Sequence, residues 1–110
     1  MEIAFKTKRL QKTCNSHALL QKTYGKLAKK IEVRLSLLKN AQNLSLVPTT
    51  PPVRRHLLRG DRQDTFAVDL GHPYRLLFTA NHDPIPRRAD GGIEIEQVTA
   101  IKVLEITDYH

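Results

Sequence analysis

The chain has 110 residues, enough for one hydrophobic core and too few for two. It carries 18 Lys and Arg against 11 Asp and Glu, a formal charge of +7, which favours a polyanion or an acidic protein as partner. Trp is absent and only three Tyr and three Phe occur, which argues against a broad aromatic platform for stacking RNA bases. No run approaches the roughly 20 apolar residues of a membrane span, so no membrane partner is expected. Met1–Phe5 lacks the charged-then-apolar layout of an export signal, and the lone Cys14 excludes an internal disulfide. The expected location is a reducing cytoplasm.

In chain order, Glu2 to Lys6 alternates as a short first strand, and a helical region follows. Leu20, Tyr24, Leu27, Ala28, Ile31, Leu35 and Leu38 step by three and four, which makes one face of an amphipathic helix. Lys26, Lys29, Lys30, Glu32 and Lys39 form the opposite face, either solvated or facing an RNA groove. Asn15-Ser16 supplies an N-cap. Gly25 costs about 1 kcal/mol inside a helix, so two helical segments hinged near it are expected. Three prolines in Pro48–Pro52 stop the helix; the stretch from Asn43 to Pro52 reads as a semi-rigid connector. Strand patterns then run over Arg54 to Leu58, Thr65 to Leu70 and Tyr74 to Thr79, joined at Gly60 and at Gly71-His72-Pro73 by hairpin chemistry. Asn81 to Gly92 is a polar loop, and a final strand follows. The expected fold is α+β, in the order β-α-α-β-β-β-β, with the N-terminal strand and helices packed on a mostly antiparallel twisted sheet. It forms a single domain over residues 1–110.

Chemistry-bearing residues gather in two places. Arg54-Arg55-His56-Leu57-Leu58-Arg59-Gly60-Asp61-Arg62 holds four arginines and a histidine in nine residues. The chain closes on Asp108-Tyr109-His110, an acid, a phenol and an imidazole on a strand-like run. Arg donates two parallel hydrogen bonds to a phosphate and stays charged; His exchanges a proton near neutral pH. Each group also has a plainer role. His56 could simply satisfy a hydrogen bond, the arginines could be a solvated edge, and Arg75 could pair with Asp69 across a hairpin. Cys14-x-x-His17 has the spacing of half a zinc site, but no second pair completes it, so no metal or other cofactor is expected.

The segment His56-x-x-Arg59-Gly60-Asp61-Arg62, with Phe66-x-x-Asp69-Leu70 and Tyr74-Arg75-Leu76-x-Phe78, resembles the core of the RelE/ParE toxin superfamily. The terminal Asp108-Tyr109-His110 is similar to the end of its HigB branch, the plasmid-maintenance killer proteins. The resemblance implies the toxin of a type II toxin–antitoxin system that cleaves messenger RNA on the ribosome, without a metal. It implies a cognate antitoxin, a helix-turn-helix protein of the HigA type, and contact with DNA only through that antitoxin. By the same resemblance, His56, Arg59, Arg75, Asp108, Tyr109 and His110 form the catalytic set. Arg54, Arg55 and Arg62 are expected to hold RNA or ribosome. Arg59 stands where many relatives have Lys, and the loop from Asn81 to Glu96 is longer than in compact relatives. The same fold also serves ParE-like inhibitors of DNA gyrase, and a non-catalytic basic module that binds nucleic acid is a third reading.

Overall fold

A computed structural model describes residues 1–60 and 62–108. Asp61 of the glycine turn and two expected site residues, Tyr109 and His110, lie outside the described residues. The order is β1 (Glu2–Phe5), α1 (Lys8–Cys14), α2 (His17–Tyr24), α3 (Ala28–Asn40), β2 (His56–Leu57), β3 (Thr65–Asp69), β4 (Tyr74–Ala80) and β5 (Ala100–Asp108). Short 3-10 turns lie at Gly25–Leu27, Leu44–Leu46 and Ile95–Gln97. The expected α+β order holds, with the helical region cut into three pieces instead of two.

The cuts follow local chemistry. Thr7 opens α1 by accepting from the Leu10 amide at 3.1 Å, and Ser16 opens α2 by accepting from the Leu19 amide at 3.2 Å. Gly25 ends α2 with φ +55°, a conformation that costs an L side chain energy and a glycine little. At the end of α3 the α-amino group of Met1 donates to the carbonyls of Leu38 (3.3 Å), Lys39 (2.6 Å) and Ala41. That places a positive charge where the helix dipole favours one.

The five strands form one sheet in the order β1-β5-β4-β3-β2, with β1 parallel to β5 and every other pair antiparallel. Alternation along the strands gives the sheet two unlike faces. One face buries Phe66, Val68, Leu76, Phe78, Ile101 and Val103 against Leu20, Ala28, Ile31 and Leu38 of the helices. Phe66 and Phe78 sit opposite each other and stack with ring centroids 5.7 Å apart. The other face carries three cross-strand rows: Asp69–Arg75–Thr107, Ala67–Leu77–Glu105 and Thr65–Thr79–Lys102.

A register shift opposite Leu77 and Phe78 passes from Glu105 to Val103 and skips Leu104. This bulge lets Val103 and Ile106 both turn toward the helices, and it turns Glu105 to the open face.

Two expectations need correction. The strand expected over Arg54 to Leu58 shrinks to His56–Leu57. The Arg54 amide donates to Thr50 O (2.9 Å) and the Arg55 amide to Pro48 O (2.8 Å), so these residues belong to the proline segment. That segment is also more than a spacer, since Leu44, Val47 and Val53 are buried in the core.

Candidate functional site

Of the expected site residues, His56 and Arg75 meet on the open face. His56 pairs in register with Ala67, which places it in the row of Leu77 and Glu105. Arg75 lies one row along, between Asp69 and Thr107. Two strand spacings across and two residues along put the His56 and Arg75 backbones about 12 Å apart. Long side chains reaching inward from such a distance can hold one phosphodiester between them.

His56 has a fixed tautomer. Its Nδ1 lies 2.7 Å from the Arg54 carbonyl oxygen, which can only accept, so Nδ1 carries the proton. In the neutral ring the lone pair then lies on Nε2. An imidazole held this way can take a proton from a hydroxyl. The carbonyl that fixes it belongs to a residue at φ +48°, in the left-handed region that non-glycine residues seldom occupy. The surrounding hydrogen bonds hold Arg54 there, and its guanidinium meets Asp69 Oδ2 at 2.8 Å.

Asp69 gathers more partners than its sequence context suggests. Its amide donates to Val53 O at 2.8 Å, and its carbonyl accepts from Arg34 Nε at 2.7 Å. Arg34 is 8% exposed and also donates to Pro52 O at 3.3 Å. On the open face, Asp69 Oδ1 lies 3.8 Å from Arg75 Nε. The cross-hairpin pairing of Arg75 is therefore present, at long range, and one carboxylate serves two arginines.

The remaining arginines divide their work. Arg55 is half-buried and donates from Nε to Val47 O at 3.0 Å, while burial pushes its guanidinium below the ordinary value. Arg59 is exposed on the turn after β2. Arg62 reaches across the sheet to Glu105 Oε1 at 3.0 Å. Ala67 and Leu77, between those two points, are fully buried on a face that no helix covers, so the turn folds back over the row. Asp108 pairs with Tyr74 on β4. Alternation places it on the side of Ile106, opposite Arg75 and Thr107.

Two groups outside the expected set fix this turn. Arg87 grips Asp64 with both terminal nitrogens, Nη2 to Oδ2 at 2.7 Å and Nη1 to Oδ1 at 3.2 Å. The same Nη1 donates to Gly91 O at 3.1 Å. The loop that begins at Asn81 is thus anchored. Its Ile93 is buried, Arg87 and Ile93 form a β-bridge, and His82 Nε2 accepts from the Thr99 and Ala100 amides at 3.1 and 3.3 Å. A planar fork facing a carboxylate is the strongest form of such a pair. Only the charge of Arg87 and Asp64 was visible in sequence; their meeting depends on where the two loops end.

Cys14 is buried, and burial pushes its thiol up to about 11, which leaves it un-ionised at neutral pH. His17 turns to Glu32, with Nδ1 2.9 Å from Oε1. Among the described residues, no three His, Cys, Asp or Glu side chains group to hold a metal.

No family model and no curated protein sequence matches this chain. Solved structures do match it. A YoeB/ParE toxin from Agrobacterium tumefaciens is 11% identical with a TM-score of 0.56, over 100% of both chains. The fold is RelE/ParE-like. A YoeB–YefM complex from Staphylococcus aureus gives 15% identity and a TM-score of 0.57, over 100% of this chain and 97% of the other. A YoeB dimer from the same organism gives 16% identity and a TM-score of 0.55, with the same coverage. At these identities the RelE/ParE likeness establishes the architecture, and the chemistry rests on the residues above.

The geometry gives two expected outcomes. Arg54→Gly is expected to be more stable to denaturant than Arg54→Ala, by about 1 kcal/mol, because both lose the ion pair and only glycine relaxes the backbone. Equal stabilities would refute the strain. The Arg87 hydrogen bond, helped by its charge, holds the Asp64 carboxyl below the ordinary aspartate range. A depressed carboxyl stabilises the fold above its unfolded pKa of about 3.9, and that contribution disappears as pH falls through the folded value. The melting-temperature gap between wild type and Asp64→Asn is therefore widest near neutrality and closes below about pH 4. A gap that widens in acid would contradict the pair.

Proposed function

We propose that this chain is the toxin of a type II toxin–antitoxin system, of the HigB-like branch, and that it cleaves translated mRNA on the ribosome in the cytoplasm. The observation that carries the reading is the placement on one open face of His56, whose Nδ1 is held by the Arg54 carbonyl, together with Arg75. The sequence resemblance and the RelE/ParE-like architecture support the same reading.

In this reading the chemistry is metal-independent general acid–base attack on a phosphodiester. His56 Nε2 takes the proton of a ribose 2′-OH, and the 2′-oxygen bonds to the adjacent phosphorus. Arg59 and Arg75 balance the charge that builds on the phosphorane oxygens. The bond to the 5′-oxygen breaks, a proton passes to that oxygen, and the products are a 2′,3′-cyclic phosphate and a 5′-OH. In this proposal His110 supplies that proton and Tyr109 contacts a splayed nucleotide, whereas Asp108, which alternation turns to the other face of β5, takes no part in the step. Arg54, Arg55 and Arg62 hold the RNA backbone or the ribosome. For Arg62 this requires release from Glu105, a surface pair worth about 1 kcal/mol or less.

The partner in this reading is a cognate antitoxin of the helix-turn-helix HigA type, through which alone the complex meets DNA. A Staphylococcus aureus neighbour of the same fold was solved as a complex with YefM.

Primer extension on an mRNA under translation, with purified full-length chain, tests the activity. His56→Ala should lower the cleavage rate by about 10²–10⁴-fold, and Arg75→Ala by about 10²–10³-fold. Undiminished cutting by both variants would remove them from the site. Inhibition of gyrase supercoiling without RNA cleavage would assign the chain to the ParE-like alternative. Salt-steep binding to nucleic acid with neither activity would leave a non-catalytic module.

A further inference from the structure

A groove of about 440 Å³ lies between α3 and the proline segment, away from the row that holds His56. Val33, Pro51 and Pro52 supply its apolar walls, and Lys29, Lys30 and Arg54 supply its charge. Val33 is 46% exposed, and Lys29 and Lys30 precede it by four and three residues, so all three share one helix face. Among the described residues the single carboxylate lining the groove is Asp69, already engaged by Arg54.

This composition selects its occupant. An apolar floor ringed by cations matches an amphipathic segment with apolar side chains on one face and carboxylates flanking them. Among the described residues no aromatic ring lines the groove, so RNA would find cations there but no described ring on which to stack bases. A second copy of a chain with net charge +7 is a poor electrostatic match for a cationic rim.

Asp69 connects the groove to the open face. Its Oδ2 holds Arg54 at 2.8 Å, whereas its buried Oδ1 has no hydrogen-bond partner among the described residues and lies 3.8 Å from Arg75 Nε. One short ion pair and one long one share a single anion. A new carboxylate brought to Arg54 from outside would compete for the short one.

We propose that an acidic amphipathic segment of a protein partner docks in the Val33–Pro51–Pro52 groove, draws Arg54 off Asp69, and thereby shifts Asp69 onto Arg75. Under the toxin reading, the partner is the antitoxin and the shift takes Arg75 away from the RNA phosphate, so silencing needs no cover over the open face. The docking itself does not depend on that reading.

The test uses the full chain and a fluorescent helical peptide with leucines on one face and glutamates beside them. Fluorescence anisotropy reads its binding, and the ¹⁵Nε resonance of Arg75 reads the shift. Saturable binding is expected, weakened at least about tenfold by Val33→Glu and by Lys30→Glu, and little changed by Lys102→Glu on the open face. A tenfold loss corresponds to about 1.4 kcal/mol. The Arg75 resonance should move on peptide addition and stay still when Asp69 is Asn. A peptide with lysines in place of glutamates should not bind.

Absence of saturable binding, or binding lost with Lys102→Glu and kept with Val33→Glu, overturns the docking site. Self-association abolished by Val33→Glu, with no peptide effect, assigns the groove to a second copy and overturns the proposal. Competition by an RNA oligonucleotide that persists in Arg54→Ala, and so does not run through that shared arginine, does the same. Docking that leaves the Arg75 resonance unmoved overturns the coupling. If the chain cuts no RNA at all, the toxin reading fails, while the anisotropy and resonance results still decide the groove.

Discussion

One carboxylate holds the working parts of this molecule together. Asp69 ends β3, yet it ties three separate pieces of chain together: its amide donates to Val53 and its Oδ2 accepts from the adjoining Arg54, its carbonyl accepts from Arg34 of α3, and its Oδ1 lies 3.8 Å from Arg75 of β4. A half-exposed surface pair contributes little on its own. Here the side chain of Asp69 is only 17% exposed, and the pairs form a connected set that anchors the proline segment to the sheet. That anchoring keeps Arg54 at a positive φ, and the Arg54 carbonyl in turn fixes the tautomer of His56. The candidate base and the candidate phosphate-binding cation therefore trace back to one residue that does no chemistry itself.

The open face owes its form to a second constraint, the fit of strands against helices. The skipped Leu104 in β5 keeps Val103 and Ile106 in the core and delivers Glu105 to the opposite side. Arg62 can then cross the sheet to Glu105, while Arg87 locks the far end of the same turn through Asp64. The long loop after β4 thus positions the turn that carries Arg59 and Arg62. A face with buried Ala67 and Leu77 at its centre and cations at its margins excludes water beneath the turn. It also leaves charge where a polyanion can reach.

Much of the fold was legible because local chemistry decided it. Ser16 caps a helix, Gly25 interrupts one, and the alternation of Thr65 to Asp69 and Tyr74 to Thr79 survives as β3 and β4. The doublet Val103-Leu104 in an otherwise alternating run was a visible trace of the bulge. What could not be read depends on contacts distant in sequence. Arg54 and Arg55 look like strand residues, and they leave the ladder because Thr50 and Pro48 offer their carbonyls instead. Asp69 was visible as a partner for Arg75, but its bonds to Arg34 and Val53 follow from the packing of α3 on the sheet. Arg87 and Asp64 are 23 residues apart and meet only once both loops are placed. At the site, His56 and Arg75 share a face by register, whereas Asp108 stands on the other side of its strand.

The sharing of Asp69 is measurable directly by a double-mutant cycle in the full chain. Arg54→Ala, Arg75→Ala and the double variant would be compared by denaturant unfolding at neutral pH. Each single change leaves the carboxylate one remaining partner, and the double change leaves it neither. The double variant should then lose more stability than the two single losses combined, by at least about 0.5 kcal/mol. Losses that add to within about 0.3 kcal/mol would show that the two arginines do not share the anion, and the account built on it would fail.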